Sequence, residues 1–295
     1  IWREYTESTI TTMSIIQASS QQDFCTEGED YIVVADCHGS RQNKNILLDY
    51  MKNYNWALKL NTTQWTQEVM AQTSVGTAHA GATLTVFKIY PDRFECFWIG
   101  DSSGKVYCGE ETIFETNDHN YNHKDYKHMP YTDGNDIKII NKHTAVQVNA
   151  KRFTIGGENT NMTRCLGHRG LFCQVRNFDH AVIPRTEKQY KIVAGSDGFW
   201  QMTCDEDTPL IADIVETSER LAKFANRRWR QPWRLQTDEI IHHELHFPED
   251  NIDDICVAAR VVYPVPIKAP EAPEAPEAPE ASGLLKQHTL VSGDL

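Results

Sequence analysis

Four apolar segments of the chain each carry an aspartate at one tip, and no other sequence feature constrains the fold as tightly. Asp36 closes YIVVA, Asp101 follows FECFWI and Gly100, Asp197 follows KIVAG and Ser196, and Asp253 with Asp254 precedes ICVAARVVY. Such runs, rich in β-branched and aromatic residues, read as buried strands. The sequence predicts strands over 31–35, 83–90, 94–99, 191–194 and 255–263, with a hairpin at Pro91-Asp92. Helical periodicity marks 43–53, 62–72 and 209–229, the last with Thr208 as N-cap and Pro209 at its first position. Long strands mixed with a few helices predict an α+β fold, not alternating βαβ units. The stretch 107–156 is polar, rich in His and Asn, and expected to be mostly loop.

Composition narrows the function. The net charge of −12 disfavours nucleic acid and anionic membrane surfaces as partners. No apolar run approaches the roughly 18–20 residues of a spanning helix. The N-terminal IWREYTESTITT holds no apolar stretch of signal-peptide type. The eight cysteines include no C-x-x-C pair, so they read as reduced, small buried hydrophobes in a cytoplasmic or nuclear setting. After Tyr263 the sequence becomes a Pro-Glu-Ala repeat that cannot build a core. The expected organisation is therefore a folded domain, 1–263, and a disordered tail, 264–295. The tail's apolar tip (Leu284, Leu285, Leu290, Val291) is a candidate docking peptide for a partner.

A single aspartate at a strand end is ordinary turn chemistry. Four in one chain suggest a shared site, because carboxylates brought together raise one another's pKa unless cations neutralise them. Hard oxygen ligands favour Mg²⁺ or Mn²⁺ over zinc. Two such ions can hold a phosphoryl group and activate a water for in-line attack. His38, two residues after Asp36, is placed to protonate a leaving oxygen.

The same residues carry a family resemblance. Ser20-Gln21-Gln22-Asp23-Phe24, Val33 to Gly39 (VVADCHG), Gly81-Ala82-Thr83, Ile99-Gly100-Asp101-Ser102 and Asn117-Asp118-His119-Asn120 follow in order. Met162 to His168 (MTRCLGH), Ala194 to Trp200 (AGSDGFW) and Asp253 to Val257 (DDICV) complete the series. Together they resemble the motifs of the protein phosphatase 2C (PPM) family of metal-dependent serine/threonine protein phosphatases. That resemblance implies a sandwich of two antiparallel sheets flanked by helices in α-β-β-α layers, with a binuclear Mn²⁺ or Mg²⁺ site at one end. It implies that Asp36 bridges both metals, that the Cys37 carbonyl helps hold one, and that Asp197, Asp253 and Asp23 complete the set. Asp101, with Asp197, corresponds to a third, weaker metal position, and His38 corresponds to the general acid. Phosphoserine and phosphothreonine in proteins are the implied substrates.

The motifs also depart from the family pattern. Cys37 replaces a glycine, which is awkward if the backbone there has positive φ. His168 replaces an acid, and the phosphate-binding arginine expected about five residues before Asp23 is missing, Ala18 and its neighbours being uncharged. Arg41 and Arg164 are the candidate replacements for binding substrate. The final motif has two registers, with Asp253 or Asp250 as the ligand, and the apolar pattern of Ile255 and Val257 favours Asp253. Two rival functions remain: a pseudophosphatase that binds phosphoprotein without turnover, and a small-molecule phosphatase on the same scaffold. The basic and aromatic run 227–234 reads as helix-end charges and core tryptophans, and the His-rich run 242–246 as a solvated loop.

Overall fold

The computed structural model describes residues 11–16, 21–74, 79–120, 131–155, 158–168, 177–236 and 241–264. Strand Tyr31–Gly39 shows how the architecture follows from the sequence. Nearly all of it is buried, and its side chains alternate between two cores. Ile32 and Val34 face Ile192, Ala194, Cys256 and Ala258 of a second sheet. Val33, Ala35 and Cys37 face Leu47, Leu48 and Met51 of helix Arg41–Asn53 and Trp65 and Val69 of helix Trp65–Thr73. The second sheet repeats the alternation. Val193, Ile255, Val257 and Ala259 turn outward against Leu221, Ala222, Ala225 and Trp229 of helix Ser218–Arg230. Strands apolar on both faces are thus sandwiched twice, giving the layers helix, sheet, sheet, helix.

The first sheet has seven strands. Its path runs Leu166–Gly167, Ala80–Ala82, Tyr31–Gly39, Leu84–Ile89, Arg93–Ile99, Asp179–Pro184, and Asp23–Gly28 also pairs with Tyr31–Gly39. The second has five, in the order Thr11–Ile16, Ile255–Val262, Tyr190–Gly195, Ser103–Cys108, Glu111–Glu115. Both are antiparallel throughout, and Pro91-Asp92 lies in the tight connection of the predicted hairpin. No helix among the described residues is long and apolar enough to cross a membrane. The seven cysteines among them are all free.

Two expectations need correction. The stretch 107–156 is not mostly loop. It supplies strands Glu111–Glu115, Thr132–Ile139 and Thr144–Ile155, and the last two belong to a third sheet with Glu158–Thr160, Trp233–Gln236 and Ile241–Leu245. One pair in this sheet is parallel, Thr144 to Val146 alongside Arg234 to Gln236. Much of it faces solvent, so its residues are polar and lack the apolar runs that mark a buried strand. The helix expected over 209–229 is two helices, Thr208–Ala212 and Ser218–Arg230. Asp207, not Thr208, is the residue that precedes the first, and Asp213 leaves it in extended conformation. Thr217 caps the second, its hydroxyl accepting from the Arg220 N–H at 3.3 Å. The break leaves carbonyls at Asp213 and Glu216, and the buried Lys191 ammonium donates to both, at 2.5 and 2.9 Å. A periodic pattern cannot reveal a break stabilised by a lysine from a distant strand. The tail, with its candidate docking peptide, lies outside the described residues, as do Ala18 and its neighbours.

Candidate active site

The sandwich gathers the predicted aspartates at one end. Asp23 and Asp36 face each other across the antiparallel pair of their strands. Asp36 is fixed by its backbone: its N–H donates to the Thr83 hydroxyl at 3.0 Å, and its carbonyl accepts from the Thr83 N–H at 2.8 Å. The Ser196 hydroxyl donates to Asp23 Oδ2 at 2.7 Å and accepts from the Cys256 N–H at 3.0 Å, joining three strands at the site. Asp197 then opens the short helix Asp197–Trp200. A β-carbon at Gly198 would lie 2.0 Å from the Asp254 carbonyl oxygen, so only glycine lets this turn meet the strand that brings Asp253. Trp229 Nε1 donates to the Gly198 carbonyl at 2.8 Å and holds the turn from behind.

Burial and mutual repulsion dominate the electrostatics. Burial, with the charges of Asp253 and Asp254 adding to it, pushes the Asp23 carboxyl up to about 8. Asp36 is pushed well above the ordinary range by burial and by Asp23, Asp197, Asp253 and Asp101. Asp197 rises for the same reasons, and burial followed by the charge of Asp197 brings Asp253 to about 8. Burial and Asp118 raise Asp101 to about 7. Asp36 Oδ1 and Asp197 Oδ1 are buried with no hydrogen-bond partner. A set of oxygen donors that repel one another, two of them orphaned, fits hard divalent cations such as Mg²⁺ and Mn²⁺.

The acids open into a cleft of about 570 Å³. Asp36, Asp101, Asp197 and Asp253 line it together with Asp136, Ile137, Arg152 and Thr160 of the third sheet. His38 and His168 lie in the same cleft with their Nε2 atoms 2.9 Å apart. Burial, and then the neighbouring His168, pushes His38 down to about 3, so its imidazole is neutral around pH 7.

The sequence-predicted residues divide. Asp23, Asp36, Asp101, Asp197 and Asp253 come together, with His38 beside them. Asp250 is exposed in the turn Glu249–Asn251 and does not line the cleft. Asp254 is fully buried, but its charge is met by the Gln22 N–H at 2.7 Å. Cys37 has no positive φ, and its side chain packs in the core beneath helix Arg41–Asn53, leaving only its backbone for a ligand role. Arg164 is a correction: it is 2% exposed and donates to Asp179 Oδ1 at 2.6 Å and to the Asn177 carbonyl at 3.0 Å. Engaged inside the fold, it does not reach the cleft. Although burial pushes the Asp179 carboxyl up, Arg164 and His119 outweigh burial and hold it below its ordinary value. The side chain of Arg41 lies outside the described residues. Two residues were missed as site members. Asp118, in the motif around His119, accepts from the Ser103 hydroxyl at 2.5 Å and adds charge beside Asp101. Arg152 is the only Lys or Arg among the described residues lining the cleft, and no motif marked it.

No protein-family model and no curated protein matches this sequence. Solved structures do. The serine/threonine phosphatase PstP/Ppp of Mycobacterium tuberculosis is 14% identical, with a TM-score of 0.52 over 87% of this chain and 99% of that one. The photosystem II phosphatase PBCP is also 14% identical, with a TM-score of 0.52 over 87% and 100%. The catalytic domain of PstP in complex with two manganese ions is 15% identical, with a TM-score of 0.50 over 86% and 98%. At such identity the likeness is one of architecture, and it agrees with the layers described above. The chain has the fold of the protein phosphatase 2C (PPM) serine/threonine phosphatases.

Proposed function

We propose that this protein is a metal-dependent phosphatase that hydrolyses phosphoserine and phosphothreonine in proteins. The observation that carries the reading is the cluster of Asp36, Asp101, Asp197 and Asp253 lining one cleft, with the buried Asp23 paired to Asp36, all raised by burial and mutual charge. Asp36, Asp23, Asp197, Asp253 and the Cys37 carbonyl would hold two Mn²⁺ or Mg²⁺ ions, and Asp101 with Asp197 and Asp118 a third. When bound, such ions supply a nucleophilic water and neutralise phosphoryl charge.

The rest of the work falls to the chain. The His38–His168 pair shares a proton between two Nε2 atoms, one donating and the other accepting. As general acid His38 would act from its doubly protonated form, giving the Nε2 proton to the leaving alkoxide and returning to the neutral imidazole. Arg152, which lines the same cleft from the third sheet, would receive phosphate, which guanidinium matches in a bidentate manner. Ser196 and Thr83 keep Asp23 and Asp36 in place as ligands and substrate come and go.

The test is hydrolysis of a phosphothreonine peptide with Mn²⁺, with Mg²⁺ and with EDTA, by the wild type and by Asp197→Asn. Metal-dependent turnover that disappears in the variant is the expected result. Absence of turnover from folded wild-type protein over a range of pH and metal concentration overturns the reading in favour of a binding module. Equal rates on phosphopeptides and simple aryl phosphates would instead indicate a small-molecule phosphatase.

A further inference from the structure

Beside the oxygen cluster lies a second group of ligand atoms with different chemistry. His38, Cys165 and His168 each offer one atom, and the three atoms lie within 4.8 Å of one another. They converge above Gly81. A β-carbon placed there would lie 2.5 Å from His38 Nε2, 2.5 Å from His168 Cδ2 and 2.8 Å from Cys165 Sγ. The three side chains therefore pack directly against the bare backbone of strand Ala80–Ala82, and only glycine at position 81 lets them meet there. The strand is bordered by Tyr31–Gly39, which carries His38, and by Leu166–Gly167, which Cys165 and His168 flank. His38 and His168 also line the cleft, so an ion in solution can reach them.

We propose that His38, Cys165 and His168 form a binding site for a borderline or soft divalent ion of the Zn²⁺ class, distinct from the carboxylate cluster. Two imidazoles and one thiolate suit Zn²⁺ and its analogues and suit Mg²⁺ or Mn²⁺ poorly. In a tetrahedral zinc site, nitrogen ligands stand roughly 3.3 Å apart. The observed Nε2 separation of 2.9 Å needs only a small opening of the pair. Three protein ligands leave a fourth position towards the cleft. Loading replaces the Cys165 S–H bond with a metal–sulfur bond and releases that proton to solvent. The proton held between the two Nε2 atoms moves to Nδ1 of the ring that carried it. His38 then has no proton to give at Nε2, so zinc inhibits the phosphatase. The inhibition rests on the proposed activity, whereas the binding does not.

Anaerobic titration of chelator-stripped full-length protein with Co²⁺ tests the site directly, since thiolate ligation produces a sulfur-to-cobalt charge-transfer band. The band is expected in the wild type and in Asp197→Asn, is bleached by Zn²⁺, and is lost in Cys165→Ser. A wild type without the band, or a band that survives Cys165→Ser, overturns the proposal. Should Cys165→Ser fail to fold, alkylation of the wild type mapped by mass spectrometry decides. Zn²⁺ must protect Cys165, and unprotected labelling refutes the site. Inhibition is read separately: Zn²⁺ added over saturating Mn²⁺ should stop wild-type turnover and spare Cys165→Ser, whose rate without zinc is unchanged. A cobalt band in a protein without phosphatase activity would leave this site standing and remove only the proposed function.

Discussion

Replacing Asp23 with Asn should stabilise the metal-free protein while damaging its function. Asp23 is 1% exposed, and its carboxyl rises from an ordinary value of 3.8 to about 8 through burial and then the charges of Asp253 and Asp254, despite the hydrogen bond from Ser196. Linkage contributes about 1.4 kcal/mol per pH unit over the interval from 3.8 to pH 7, so this one carboxyl costs the metal-free fold about 4 kcal/mol. Asparagine keeps the shape and removes the charge, but it leaves one imperfect hydrogen bond worth about 1–3 kcal/mol. The net gain expected is about 1–3 kcal/mol, or roughly 3–10 °C in Tm for a domain of this size. The sign follows from the protons bound. Between the unfolded and folded pKa the native state holds the extra proton, so stability falls as pH rises through that window. Metal-free wild type should therefore melt higher near pH 6.5 than near pH 8, and Asp23→Asn should show a weaker dependence. Below about 6.5 the dependence eases by one proton, because burial and His168 depress His38 to about 3 and the unfolded chain takes up that proton first, while the other raised carboxyls keep its sign. The assay is thermal denaturation in EDTA at the two pH values, repeated with Mn²⁺. Mn²⁺ should reverse the order by stabilising the wild type more than the variant. An Asp23→Asn protein that melts below wild type in EDTA would refute the reasoning.

Further outcomes can be checked by equilibrium unfolding and activity. Gly198→Ala should cost roughly 3 kcal/mol and abolish turnover, because its β-carbon would meet the Asp254 carbonyl 2.0 Å away. A variant with normal stability would show that this approach is not needed. Cys37→Gly, which restores the family's residue, should destabilise the chain by roughly 1–3 kcal/mol without loss of activity, since the fully buried Cys37 side chain fills the core and its backbone has no positive φ. Higher stability would contradict that packing. Asp207→Ala strands the buried Arg228 guanidinium that it pairs with and should cost about 3–5 kcal/mol, read as a lower urea midpoint at constant m-value. Arg152→Ala should raise KM for a phosphopeptide with little change in Tm, and an unchanged KM would remove Arg152 from the phosphate site.

What the sequence disclosed and what it withheld have different physical origins. Strands such as Tyr31–Gly39 and Ile255–Val262 are buried on both faces, so their apolar runs stand out, and the aspartates at their tips are conspicuous because charge there is costly. The third sheet has one wet face, and its polar strands resemble loop. The helix break at 213–217 depends on Lys191, which lies on strand Tyr190–Gly195, outside the break's sequence neighbourhood. Arg164 misled because a motif position says nothing about which way a guanidinium points, and here it points at Asp179. Arg152 was silent because it sits in an ordinary-looking polar strand and matters only for the acids that share its cleft.

The residues that line the cleft come from parts of the fold under different constraints. The aspartates sit on or beside strands wedged between two hydrophobic cores, so their backbone tolerates little change. Strands Thr132–Ile139, Thr144–Ile155 and Glu158–Thr160 form a more exposed ribbon that reaches the cleft through Asp136, Ile137, Arg152 and Thr160. Drift or exchange within that ribbon can alter which molecules are admitted and how they are oriented while the aspartates stay fixed. Under the proposed function, chemistry and selectivity thus sit on separately evolvable parts, and a transplanted ribbon is the natural unit for redirecting the site.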